Sequence, residues 1–141
     1  MKVNGLPFLL TVSSELKFVT VEFLENMEMD NVHKCCKTAV ELCNSRGFQI
    51  EHLLGDQQFD PMKPRLKEGF DITFNGAVAK EHIPKVERII WVVKEHIKAS
   101  ISRFPWKEAT PKLMVKEVVK CCTMMMNGFP PKSGIETCLS P

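Results

Sequence analysis

The stretch Phe48-Gln49-Ile50-Glu51-His52-Leu53-Leu54-Gly55-Asp56 decides how this chain folds. It predicts a buried strand over residues 48–54 that stops at Gly55-Asp56. Immediately upstream, Val32, Cys36, Ala39, Val40 and Cys43 recur at helical spacing, so a helix is expected from a cap at Asp30 or Asn31 to about residue 45. Arg46-Gly47 closes it, because glycine takes the left-handed conformation that ends a helix at little cost. A strand that leaves a helix in this way suggests a parallel βαβ unit, and with it a mixed α/β architecture.

The flanking segments extend that pattern. Toward the N-terminus, residues 7–12 form an apolar run suited to a buried strand, preceded by the turn signal Asn4-Gly5. Residues 17–24 alternate, with Val19, Val21 and Phe23 on one parity and Phe18, Thr20 and Glu22 on the other. Period-two alternation predicts a second strand, joined to the first by a hairpin around Ser13-Ser14-Glu15. Toward the C-terminus, Pro61, Pro64 and Gly69 leave room for only a short helix. Phe70-Asp71-Ile72-Thr73-Phe74 reads as another strand, ended by Asn75-Gly76. Pro84 suits the first turn of the longest helix, expected to run to about residue 103 with the core stripe Val86, Ile89, Ile90, Val93, Ile97 and Ile101. Pro105 stops it, and residues 113–126 form a last helix with a methionine-rich apolar face. The tail, residues 127–141, has no periodic pattern. The expected architecture is one α/β domain over residues 1–141, a mixed sheet flanked by helices.

Composition narrows the class. The 141 residues are 44% hydrophobic and 26% charged, enough for a real core and inconsistent with wholesale disorder. The formal net charge of +2 does not by itself argue for nucleic acid, so any such argument must rest on where the charges sit. Cys35, Cys36, Cys43, Cys121, Cys122 and Cys138 show no CxxC and no zinc-finger spacing, and both adjacent pairs fall in apolar helical stretches. They read as reduced core thiols in an intracellular protein of the nucleus or cytoplasm. The apolar run near the N-terminus lacks a small-x-small cleavage site, which argues against secretion, and no segment reaches the ~20 apolar residues needed to span a membrane. A small secreted protein held by three disulfides is the competing reading.

Two carboxylates could carry chemistry. Asp56 falls at the C-terminal end of a predicted strand, where α/β sheets gather reactive groups, and Glu87 lies in the first turns of the long helix. Carboxylates on rigid elements can hold Mg2+ or Mn2+, and two such ions about 4 Å apart are a common engine for phosphodiester chemistry. The plain alternatives are a turn residue for Asp56 and a solvated residue suited to the helix dipole for Glu87. On the same helix Glu87, Trp91, Lys94 and Lys98 form one stripe, with Lys85, Arg88 and Arg103 nearby. A basic face carrying a tryptophan could lie along a phosphate backbone; the plain alternative is a solvated face with Trp91 packed on a neighbour. Glu81-His82 could contact substrate or sit in a surface loop, and Met124-Met125-Met126 reads as core or packing surface.

Several ordered stretches carry a family resemblance. They are Val3-Asn4-Gly5-Leu6-Pro7-Phe8-Leu9-Leu10-Thr11-Val12, Arg46-Gly47-Phe48, Gly55-Asp56-Gln57-Gln58-Phe59, Glu81-His82-Ile83-Pro84-Lys85-Val86-Glu87-Arg88, Val93-Lys94-Glu95, and Asn127-Gly128-Phe129-Pro130-Pro131-Lys132 with Leu139-Ser140-Pro141. Together they resemble the integrase catalytic core of copia-type retrotransposon polyproteins over essentially the whole chain. The resemblance implies an RNase H-like fold and a triad of two Asp and one Glu that binds two divalent ions and joins element DNA to target DNA. Asp56 matches the second Asp and Glu87 the Glu, so both would be catalytic and metal-binding. Arg88, Trp91, Lys94 and Lys98 would meet DNA, with Trp91 standing where the family commonly has a basic residue.

Two departures qualify what the resemblance implies. The Asp56–Glu87 separation is shorter than is usual in the family. The first Asp would lie upstream of Met1, and Asp30, Asp60 and Asp71 fall in the wrong elements to replace it. The expectation is therefore an incomplete first strand and an integrase-like domain inactive in strand transfer. The alternative is a non-catalytic nucleic-acid-binding or protein-interaction remnant, with a homo-oligomer possible in either case.

Overall fold

The computed structural model describes residues 1–77, 83–105 and 109–129. The chain is mixed α/β: β1 (Lys2–Val3), β2 (Leu6–Val12), β3 (Val19–Phe23), α1 (Met29–Ser45), β4 (His52–Asp56), a 3-10 segment (Gln57–Met62), α2 (Lys63–Phe70), β5 (Thr73–Ala77), α3 (Ile83–Ile101) and α4 (Lys112–Asn127). Every element expected from periodicity is present and in order. It divides into two compact units, Met1–Leu24 with Val86–Pro141, and Glu25–Lys85.

In the first unit β1, β2 and β3 form an antiparallel meander. Asn4 and Gly5 both have positive φ, 46° and 78°, the backbone of a two-residue turn whose twist matches the strands it joins. The β2–β3 register pairs Phe8 with Phe23 and Val12 with Val19. Thr11 and Thr20 face each other with their hydroxyl oxygens 2.5 Å apart. Period two puts Phe8 and Val21 on one face, where they join Val3 in a core closed by Val93, Ile97 and Ile101 of α3 and by Val115, Val119 and Cys122 of α4. The Phe8 and Phe23 rings meet edge-on at 5.6 Å, and Lys116 Nζ lies 3.5 Å above the Phe23 ring.

In the second unit β4 and β5 run parallel, joined through the 3-10 segment and α2. The expected mixed sheet is thus two sheets, a three-stranded antiparallel one and a two-stranded parallel one. With only two residues in β1, the antiparallel sheet ends there among the described residues.

Local chemistry explains where the elements depart from the periodicity. The strand expected at residues 48–54 begins at His52, because Gly47 takes φ +80° and the Phe48 N–H donates to the Cys43 carbonyl of α1 at 3.1 Å, which ties residue 48 to the helix end. It is also half exposed rather than buried. The strand expected from Phe70 begins at Thr73, because Asp71 adopts the left-handed conformation that caps α2. Asn75 and Gly76 lie inside that strand instead of ending it. Helix α1 starts before Asp30 and Asn31, with Glu28 at its N-cap position and no side-chain cap. Asp30 is instead ion-paired with Arg65 of α2, and the guanidinium holds its carboxyl below the usual carboxylate range. Val86, placed in the core stripe by spacing, is exposed, while Val93, Ile97 and Ile101 are buried.

The parallel pair sets two glycines side by side, Gly55 against Gly76. The Phe74 ring crowds the position a Gly55 Cβ would take, 2.9 Å away, and the Asp60 carboxylate occupies that of Gly76. Side-chain-free backbone lets the 3-10 segment close down on the sheet.

Candidate nucleic-acid interface

Helix α3 is amphipathic and its two faces are sharply divided. Val93 and Ile97 are buried at 0% and 2% exposure, whereas Glu87, Arg88, Trp91, Lys94, Glu95 and Lys98 are all exposed. Trp91 is 63% exposed, so the packed alternative for this side chain does not hold. At 100° per residue, Lys98 lies about 20° and Lys94 about 60° from Trp91 on one side, and Arg88 about 60° away on the other. Lys98 Nζ is 3.1 Å from Glu95 Oε1, an exposed pair of the kind that contributes little to stability and exchanges readily.

Tertiary structure adds a residue that periodicity could not supply. Lys2 of β1 lines a groove of about 430 Å³ together with Asn4, Lys94 and Lys98, floored by Ile97 and Ile101. Three lysines from two elements thus line one depression. The α-amino group of Met1 donates to the Phe8 carbonyl at 2.8 Å, and its pKa is lowered first by burial and then by the positive charges of Lys94 and Lys2. Burial is the larger cause, and the two lysines add a smaller electrostatic contribution of the same sign. Sequence spacing pointed to α3; the Lys2 contribution carried no local signal, being set by the Asn4-Gly5 turn that folds β1 back.

Asp56 and Glu87 are placed differently. Asp56 is the last residue of β4, paired with Ala77, and it shares the exposed face of the strand with His52 and Leu54. Glu87 lies in the first turns of α3, exposed. Asp56 belongs to the second unit and Glu87 to the first. Among the described residues no three His, Cys, Asp or Glu side chains gather into a group that could hold a metal ion. Glu81 and His82 lie outside the described residues.

The cysteines behave mostly as expected. Cys35, Cys36, Cys43, Cys121 and Cys122 form no disulfide among the described residues, and Cys138 lies outside them. Cys35, Cys36 and Cys122 are buried, and desolvation pushes the Cys36 thiol up to about 11, with a smaller contribution from Cys35. Cys121 is exposed, contrary to its expected place in the core, because α4 turns Val115, Val119 and Cys122 inward. Met124 and Met125 point outward for the same reason, while Met126 packs partly against the core. Among the described residues no helix is long and apolar enough to cross a membrane.

No protein-family model matches this chain, and no curated protein matches it either.

Proposed function

We propose that this chain is an RNase H-like domain of copia-type integrase descent that binds nucleic-acid backbone through α3 and does not itself carry out strand transfer. The observation that carries the binding is the convergence of Lys2, Lys94 and Lys98 on one groove. Three cations from two rigid elements form a phosphate-binding edge whose affinity comes from counterion release. The mixed α/β order, with an antiparallel meander followed by a parallel pair, supports the RNase H-like part of the reading. The ordered motifs from Val3 to Pro141 support the descent. The resemblance matches only two of the three catalytic carboxylates, Asp56 and Glu87, and this supports the lack of strand transfer.

Filter binding of a labelled oligonucleotide across a salt series tests the binding. Affinity should fall steeply with salt, with a slope of about −2 to −3 for three phosphate contacts. Salt-independent retention would count against phosphate contacts. Incubation of labelled DNA ends with manganese tests the rest: no joined product is expected, and joining that is lost in Asp56→Asn would restore the catalytic role that the resemblance implies.

A further inference from the structure

We propose that the nucleic acid held on α3 is single-stranded, with Trp91 as a stacking platform for an unpaired base. The inference deepens the backbone-binding reading above and rests on it.

Trp91 is a large aromatic side chain left 63% exposed on a helix whose opposite face, with Val93 and Ile97, is buried. Lys94 and Lys98 follow about 4.5 and 10.5 Å further along the helix axis and within about 60° of the same stripe. Lys2 extends the cationic edge from the neighbouring strand. An indole followed by a line of ammonium groups is the arrangement that takes a base on its π-face while the following phosphates run along the cations.

Charge argues for one strand rather than two. On the exposed face of α3, Arg88, Lys94 and Lys98 stand against Glu87 and Glu95. A duplex has twice the phosphate density of a single strand along its axis, and its bases offer only their edges in the grooves. Trp91 could stack in a duplex only by opening it, against the cost of unstacking. A single strand presents its bases freely and needs fewer cations.

The test uses the full chain carrying Trp106→Phe, which leaves Trp91 as the sole tryptophan of the two in the sequence. Its fluorescence is titrated with a twelve-nucleotide oligo(dT), with a duplex of the same length, and with inorganic polyphosphate, a polyanion without bases. Oligo(dT) should quench Trp91 and bind about tenfold more tightly than the duplex, and polyphosphate should leave the emission unchanged. Filter binding of Trp91→Ala should show about tenfold weaker oligo(dT) affinity with an unaltered salt slope, and an unchanged melting curve would show the variant folded. Equal affinity for duplex and oligo(dT), or oligo(dT) affinity unaffected in Trp91→Ala, would overturn the single-strand proposal while leaving backbone binding intact. Failure of every probe to bind would overturn the nucleic-acid reading itself.

Discussion

The side-chain amide of Asn127 closes on the backbone of Val19 in both directions: its Oδ1 accepts from the Val19 N–H at 2.9 Å, and its Nδ2 donates to the Val19 carbonyl at 2.7 Å. The β2–β3 register turns the peptide groups of Val19 away from β2, so the last residue of α4 acts as a one-residue strand on the edge of the sheet. An unpaired edge invites pairing with another chain, and a side chain that satisfies it removes that hazard locally.

Asn127→Ala should therefore destabilise the protein by about 1–3 kcal/mol, the cost of leaving two part-buried backbone groups without their partner. Asn127→Asp should recover little, because a carboxylate can accept from the Val19 N–H but cannot donate to its carbonyl. Urea midpoints for the three proteins check this; an Asp variant as stable as the parent would show that the carbonyl bond contributes nothing.

Gly76→Ala should destabilise by about 1–3 kcal/mol, since the added methyl group meets the Asp60 carboxylate at the Cβ position. Adding Asp60→Ala should return most of that loss, because the obstructing oxygens are gone. The Asp60–Lys63 ion pair at 3.0 Å is exposed, so its removal costs little. Equal stability of the single and double variants would place the strain elsewhere.

Stability should decline as pH rises from about 9 toward 11. The Cys36 thiol is raised from 9.0 to about 11 by burial, with a smaller contribution from Cys35, so in that window the unfolded chain loses a proton that the folded chain keeps. Cys36→Ala should flatten that part of the profile in thermal melts. At neutral pH, native iodoacetamide labelling followed by mass spectrometry should modify exposed Cys121 well before buried Cys35, Cys36 or Cys122.

Lys94→Gln with Lys98→Gln should lower the magnitude of the salt slope of DNA binding by about 1.5–2, close to the loss of two phosphate contacts. The melting temperature should not change, since both side chains are exposed. Ile97→Ala gives the opposite pattern. It empties a core position that is 2% exposed, at a cost of about 2–5 kcal/mol, and leaves the charges in place.

Most of the secondary structure was legible because its signals are local. The alternation Val19, Val21, Phe23 marks a strand whatever packs on it, and Val93, Ile97 and Ile101 mark the buried side of a helix. The errors came where a local bond overrode the pattern. Phe48 looked like the start of a strand but spends its N–H on Cys43, and Asp71 looked like a strand residue but caps α2. Of the candidate site, the stripe of Trp91, Lys94 and Lys98 followed from helical spacing, and Lys2 did not.

The amino-acid sequence by itself determined the order of the elements, the composition of the core and the basic, tryptophan-bearing face of α3, because each depends on periodicity within one segment. Tertiary structure alone decided that Lys2 joins Lys94 and Lys98, that Asn127 seals the edge at Val19, that Asp60 rests on Gly76, and that Asp56 and Glu87 belong to different units. Those relationships join residues far apart in the chain. Chain reversal and packing set their distances, and no local propensity encodes such a distance.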